Sequence, residues 1–453
     1  MHLVNFSDAP RRCSRLVTRL LAGGVVLAAT SRGEAQAPAP EPRTTVRLGT
    51  VLDAVERTNP RLDAARAGVR ASRARIPGVT RLPDPLLQLG WMNYELPSLR
   101  PMAVLGMTQL QLMQTVPLAG KLRLAGVVET ARADAMATRV EDVSLDLRQR
   151  ASTVFYELFT VDGTLDVARE TRRLLQEVSD IAAKMYELGD GRQADVLRAN
   201  VAVARMQEDI VRLETNRTSM TARLNALESA PPDAPVGAPV LPRFPLAIPS
   251  LDSLVHLAEQ NRPMLRAAAQ DVDAADASAQ LAQRAIWPDV QVGVQYGQQP
   301  GSDGARRMGS LMVGASLPLY AGSRQLQLRE EADAMRGAAV ADLTALRVET
   351  RGAVGESYAN LVRARRLADL YRMSVLPQAD ANVTSSLASY RVGTVNFMTL
   401  LDAQMTVNQY RQELITLEAE EGKAWAELEL LTGRVLVDAN TAQPARPAGG
   451  PPK

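Results

Sequence analysis

The chain is written twice. Residues 48–91 and 251–294 align at an offset of 203, with Leu62 opposite Leu265, Pro85 opposite Pro288 and Gly90 opposite Gly293. The match continues downstream. Val116-Pro117-Leu118 answers Leu317-Pro318-Leu319, Tyr156 answers Tyr358, and Tyr186-Glu187-Leu188-Gly189 answers Tyr390-Arg391-Val392-Gly393. Leu197, Ala199 and Asn200 answer Leu401, Ala403 and Gln404, and the offset stays between 201 and 204 throughout. A repeat of roughly 20–50 residues would mean a solenoid; one duplication of this length means two copies of a single large unit. The units are residues 48–229 and 251–436. Between them, residues 230–250 hold seven prolines, which forbid helix and mark a linker. Proline-rich stretches also flank the pair, an N-terminal linker at 38–47 and a tail at 437–453.

Each unit reads as helix, β-hairpin, long helix, helix, a mainly α fold with a small β part. Residues 120–187 contain no proline and, past Gly120, only Gly126 and Gly163. Ala, Leu, Arg, Glu and Val dominate there, a helix-forming mixture. At 1.5 Å per residue such a helix reaches roughly 100 Å, so it is a coiled-coil-like rod rather than a globular helix. The spacing predicts a return helix over 194–228, after a turn at Gly189-Asp190-Gly191. The second unit repeats this with helices over 323–390 and 396–432. Pro377 is expected to kink the rod, and Gly433 to cap the last helix.

The segments before each long helix change period. Val290, Val292, Val294 and Tyr296 alternate with Gln291, Gly293 and Gln295; Leu311, Val313 and Ala315 alternate with Met312, Gly314 and Ser316. The first unit alternates likewise, with Leu87, Leu89 and Trp91 against Gln88 and Gly90, and Leu110 and Leu112 against Gln109 and Gln111. These two-residue periods predict strands at 86–93, 107–116, 289–297 and 309–317. A soluble sandwich would bury the aliphatic face; a membrane barrel would turn it to lipid and face Gln88, Gln109, Gln111, Gln291 and Gln295 to water. The pattern alone fits both. Context favours the barrel, because four short strands cannot build a soluble core for so much helix.

Export supports that choice. Arg11, Arg12, Arg15 and Arg19 precede an apolar run at 20–29, and Ala35-Gln36-Ala37 offers a small-x-small cleavage site, so residues 1–37 read as a secretory signal peptide. Cys13, the only cysteine, precedes the apolar run, so the exported chain would have no lipidation cysteine, disulfide or thiolate metal site. No later apolar stretch is long enough for a spanning helix, which leaves strands as the only way across a membrane. Four strands cannot close a barrel, and an open sheet edge in lipid leaves backbone groups unpaired at several kcal/mol each. The edges must then pair with other copies of the chain. Closure is the requirement; the number of copies is not given by it.

With these pieces in order, the chain resembles the TolC-like outer-membrane factor family over essentially all of 48–436. The most specific pieces are Asn59-Pro60, Asp84-Pro85, the segment QTVPLAGK at 114–121, and YRVGTVNFMTLLDAQ at 390–404. The resemblance implies a homotrimer with a twelve-stranded outer-membrane barrel continuous with a periplasmic α-helical tunnel. It implies a passive duct of a tripartite efflux system, partnered by a periplasmic adaptor (membrane fusion protein) and an inner-membrane pump of the RND type. The P-x-x-G-K segment at 117–121 is similar to the heavy-metal branch. The helix turns Leu188-Gly189 and Val392-Gly393 would form the periplasmic tip where the adaptor docks. Asp402 matches an acidic position that narrows the tunnel, and Asp195 lies one turn before Arg198, which occupies the matching site of the first unit. Val395 stands near the place where some relatives carry a latching Arg.

Other function classes find little support. With 52 Lys+Arg against 50 Asp+Glu there is no basic excess for nucleic acid. His256 sits in an apolar helical context, there is no phosphate-cradling glycine loop, and no pair of carboxylates has an acid–base spacing, so no enzyme or cofactor is expected. Met92, Met102, Met107 and Met113 cluster around the first hairpin, where methionine more often fills gaps than binds metal. The competing readings are a type I protein secretion duct and a soluble periplasmic coiled-coil scaffold.

Overall fold

The computed structural model describes residues 44–442 apart from 96, 99, 103–105, 190 and 300–303. The signal peptide read at 1–37, the linker at 38–43 and the tail at 443–453 lie outside the described residues. Strand β1 (Thr45–Arg47) leads into α1 (Leu48–Thr58) and α2 (Pro60–Thr80). Next come β2 (Leu86–Met92), the short pair β3 (Tyr94–Glu95) and β4 (Arg100–Pro101), and β5 (Met107–Val116). Helices α3 (Lys121–Glu187) and α4 (Gln193–Leu227) complete the first unit. After β6 (Ala238–Val240), the second unit runs α5 (Leu251–Asn261), α6 (Pro263–Arg284), β7 (Val290–Gln299) and β8 (Arg306–Ala315). It ends with α7 (Gln325–Leu370), a π turn (Tyr371–Val375), α8 (Leu376–Arg391) and α9 (Phe397–Thr432).

The duplication is thus a duplication of elements. Segments α7, π turn and α8 have 46, 5 and 16 residues end to end, the length of the 67-residue α3. The π turn ends two residues before Pro377. A proline ring clashes with the carbonyl four residues back and offers no N–H, and one wider turn accommodates both defects. The rod is therefore rephased at this point and continues as helix. At the α1–α2 corner Asn59 does two jobs. Its side chain accepts the Arg61 N–H at 3.0 Å and donates to the Leu227 carbonyl at 2.8 Å, pinning the corner to the end of α4. Pro60 follows at the first helical position, where its missing N–H costs nothing.

Each unit has its own apolar centre. In the first, Phe155 and Tyr156 of α3 are fully buried against Leu48, Val51 and Val55 of α1 and Leu224 of α4. In the second, Trp425 and Leu428 of α9 pack with Leu254 of α5 and Val354 and Leu361 of α7. Each such side chain contributes about 1.5–3 kcal/mol by burial. Helix α9 also crosses Tyr156 at Gly422, where the ring leaves no room for a Cβ.

The main strands form one antiparallel sheet in the order β2-β5-β7-β8, with Gln111 opposite both Gln88 and Gln295. Strand β8 starts at Arg306, three residues before the expected 309, and stops at Ala315. Two arginines, paired with Gln299 and Gln298, supply its first rungs, and charged rungs are invisible to an apolar alternation. The flanking stretches also hold structure that their prolines disguised. Strands β1 and β6 pair in parallel, at positions read as linker. Pro239 sits in a two-stranded pair, where its missing N–H can face away from the ladder. Residues 434–442 fold back: Val437 is buried, Gly49 donates to the Ala439 carbonyl at 3.1 Å, and Arg243 donates to the Ala442 carbonyl at 3.1 Å.

Glu429 anchors that return by accepting the N–H groups of Leu436 and Val437, each at 2.8 Å. Burial pushes its carboxyl above the usual carboxylate range, against the opposing pull of those two N–H groups and Arg148. Protonation is therefore favoured in the folded chain, and stability falls as pH rises through the raised value. Glu429→Gln keeps an acceptor oxygen and removes the charge. It is expected to raise the unfolding temperature at pH 8, with the gain shrinking to nothing as pH falls to about 4. A difference independent of pH in a melting series would contradict this.

Candidate functional site

Antiparallel partners share a face, so the register sorts the sheet into two surfaces. One carries Leu87, Leu89, Trp91, Leu110, Leu112, Val292, Val294, Tyr296, Leu311 and Val313. The other carries all five glutamines singled out above, Gln88, Gln109, Gln111, Gln291 and Gln295. Gln295 donates to Gln109, and Gly90 and Gly297 leave room for the Gln109 and Met107 side chains lying over them. Among the described residues no helix covers the aliphatic surface: Leu87 is 63%, Leu311 72% and Val313 71% exposed. Aromatic residues stand near both ends of it. Trp91 and Tyr296 are half exposed toward one end, and Trp287 and Tyr320, which sequence reasoning passed over, are exposed at the hairpin base.

At that base Lys121 ties the two units together. Its ammonium donates to the Asp289 carboxylate at 2.8 Å and to the Trp287 carbonyl at 2.7 Å. The motif at 114–121 therefore ends on a residue that joins the start of α3 to the start of the second hairpin.

The two helix turns meet at the far end of the rods. Gly189 and Gly393 adopt left-handed backbone, with φ of +84° and +74°, which glycine alone adopts without strain. Each N–H donates to the carbonyl three residues back, Tyr186 and Tyr390, at 3.0 Å. The residue before each glycine is apolar and points to solvent, Leu188 at 78% and Val392 at 73% exposure. Beneath them Tyr390, Phe397 and Leu400 pack with Ala199 of α4 and with Val178 and Ile181 of α3. The Tyr390 and Phe397 rings meet edge to face at 6.1 Å. One cluster thus locks both turns together.

The acidic candidates differ. Asp195 lies within 3.9 Å of Arg198 and close enough to Tyr390 to reinforce the upward push that burial gives that phenol. Asp402 is exposed, and among the described residues its carboxylate has no ion-pair partner; only its backbone carbonyl is used, by Thr406 at 2.8 Å. Val395 is half buried in the turn. Met92, Met107 and Met113 share the glutamine face, whereas Met102 lies beyond the strand. His256 is at the surface, paired with Gln260 four residues on.

A further surface went unread in the sequence. The first half of α7 is exposed, including Leu326, Leu328, Met335, Val340 and Val348. Its counterpart in α3 lies between α2 and α6: Leu124 is 5% exposed where Leu328 is 46% exposed. The signal was present. The same hydrophobe recurs in both units, and only one copy finds cover within the chain.

Residues 254–434 match the family described as outer membrane efflux protein. No curated protein matches the chain by sequence. Among solved structures the fold is similar to the outer-membrane channel OprN, at 19% identity and a TM-score of 0.72, over 85% of this chain and 89% of that one. It is similar to CusC, a protein described as undergoing transmembrane channel formation, at 16% identity and 0.74, over 86% and 93%. It is also similar to the outer membrane protein VceC of Vibrio cholerae, at 16% and 0.73, over 86% and 96%. The resemblance to outer-membrane efflux proteins read from the sequence is therefore shown.

The cluster beneath the tip makes a local prediction. Tyr390→Ala removes the ring that binds α8 to Ala199, at a cost of about 3 kcal/mol. Backbone amides of 185–196 and 389–398 are expected to exchange hydrogen roughly a hundredfold faster, while Tyr390→Phe keeps the wild-type rate. Unchanged exchange in the alanine variant would show that the two turns are held independently.

Proposed function

We propose that the chain is one protomer of a trimeric outer-membrane efflux duct, with a twelve-stranded barrel open to the exterior and a helical tunnel in the periplasm. One observation carries this reading: the architecture is a repeat that has been cut open. Within the chain, β5 pairs with β7, and α6 packs between α3 and α7. By the duplication, β8 corresponds to β5 and β2 to β7, yet β8 and β2 are both free edges of the sheet. Likewise α7 has α6 on one side, as α3 has α2, and lacks the cover that α6 gives α3. A second copy supplying β2 and α2 satisfies both deficits at once, and the third copy closes the ring. This is a heterologous interface that closes on rotation.

In this reading the aliphatic face meets lipid, with aromatic girdles at both rims, and Gln88, Gln109, Gln111, Gln291 and Gln295 line water. Ten-residue strands such as β5 rise about 33 Å, enough for the hydrocarbon layer. Leu188-Gly189 and Val392-Gly393 seat a periplasmic adaptor, which joins the duct to an inner-membrane pump of the RND type. Asp402, without an ion-pair partner among the described residues, projects a threefold ring of carboxylates at the tip that attracts cations and repels itself, with Asp195 behind it. The cargo is a small solute, a metal cation or a drug; the segment at 117–121 favours the metal branch. A soluble scaffold would leave the exposed aliphatic sheet face in water, which its size argues against.

The internal register supplies the test. Gln114 lies opposite Val292 across β5–β7, and the equivalent pair across copies is Ala315 with Leu89. In a background lacking Cys13, Ala315→Cys with Leu89→Cys is expected to form intermolecular disulfides in outer-membrane fractions, giving a ladder that ends at three chains. Each single variant should stay monomeric on a non-reducing gel. Absence of cross-linking in the double variant, or a ladder running past three, would reject the closed trimer.

A further inference from the structure

The glutamine face is also a methionine face, and this is visible only in the register. Met92, Met107 and Met113 of the first hairpin join Met308 and Met312 of the second on one surface. Met113 and Met312 stand on either side of Gly293. A Cβ at Gly293 would lie 3.0 Å from Met113 Cγ and 3.6 Å from Met312 Cε, so both side chains converge over the glycine from opposite strands. Beside them Gln111 donates from its amide to Met113 Sδ at 2.6 Å. Turning that amide over presents its oxygen to the same spot.

Methionine ordinarily fills irregular gaps in a core. Here there is no core to fill: among the described residues no helix packs on this surface, and Met308 is 47% exposed. Among the described residues this surface carries no carboxylate; its polar groups are Gln, Ser and Thr, with Arg306 at the end of the strand. Among the described residues no group of three His, Cys, Asp or Glu is placed to hold a metal ion. A hard divalent cation therefore finds no adequate ligand set on this surface. Thioethers select soft monovalent ions such as silver(I) and copper(I), and do so without an acidic partner.

We infer that Met113 and Met312, converging over Gly293 with the Gln111 amide beside them, form a binding site for a soft monovalent metal cation on the sheet. Its use as a station along a duct rests on the function proposed above; the binding itself does not. Two neutral sulfurs and one amide oxygen hold such an ion without the charge that would trap it, which suits an ion that must leave again.

The experiment titrates silver nitrate into the detergent-purified protein in chloride-free buffer, by calorimetry, with bound silver counted after gel filtration. The wild type is expected to take up one silver ion per chain in its tightest step. Met113→Leu with Met312→Leu conserves volume and is expected to lose that step, with elution and melting unchanged. Met335→Leu, on exposed α7, should keep it. X-ray absorption of the silver-loaded wild type should show sulfur neighbours that the double variant lacks. No saturable binding in the wild type, equal binding in the double variant, or equal loss in Met335→Leu would each overturn the site. Cross-linking of Ala315→Cys with Leu89→Cys reports separately on the duct, so failure of one does not imitate failure of the other.

Discussion

Unpaired backbone at the two edges of one sheet governs the rest of this structure. A strand edge in water is a liability; in lipid it is untenable, because nothing there replaces the missing partners. Strands β2 and β8 are such edges, and they bound a sheet with one mainly aliphatic, exposed face. Duplication offers a way out that a single unit lacks. A chain that already pairs β5 with β7 carries within itself the geometry for pairing β8 with another copy's β2, and the uncovered half of α7 asks for the same neighbour.

Much of this was legible in the residues. The duplication is plain in Leu62 and Leu265, Pro85 and Pro288, and the two tyrosine–glycine turns. The alternation of Gln88 with Leu87 and Leu89 sorted the sheet's faces before any register was available. What escaped was governed by partners distant in sequence. Arg306 and Arg307 extend β8 because Gln299 and Gln298 lie across from them, and a charge gives no apolar signal. Pro239 joins a strand because β1 lies beside it, and Val437 is buried because Glu429 reaches back to hold its N–H. The meeting of Met113 with Met312 over Gly293 lay beyond sequence reading for the same reason: the three residues come from three strands.

The tip shows how near-identical turns come to differ. Both use a left-handed glycine after an exposed aliphatic residue, and both sit on one cluster around Tyr390. Their acids differ. Asp195 is engaged by Arg198 and faces the Tyr390 phenol, whereas Asp402 has no ion-pair partner among the described residues. The two acids are not copies of one position: Asp402 answers Arg198, and Asp195 answers Thr399.

The π turn at Tyr371–Val375 has a consequence for symmetry. It occurs in one rod and has no counterpart in α3, although the two rods have equal residue counts. Tyr156 answers Tyr358 at an offset of 202 and Tyr186 answers Tyr390 at 204, so the second rod carries extra residues between these points, and the wider turn takes one of them up. A ring of such chains alternates two kinds of stave, as a barrel coopered from left and right planks would. In the trimer proposed above the axis would be threefold at the far end even where the sheet approaches sixfold, and a visitor of fixed shape would find three matching berths there in place of six.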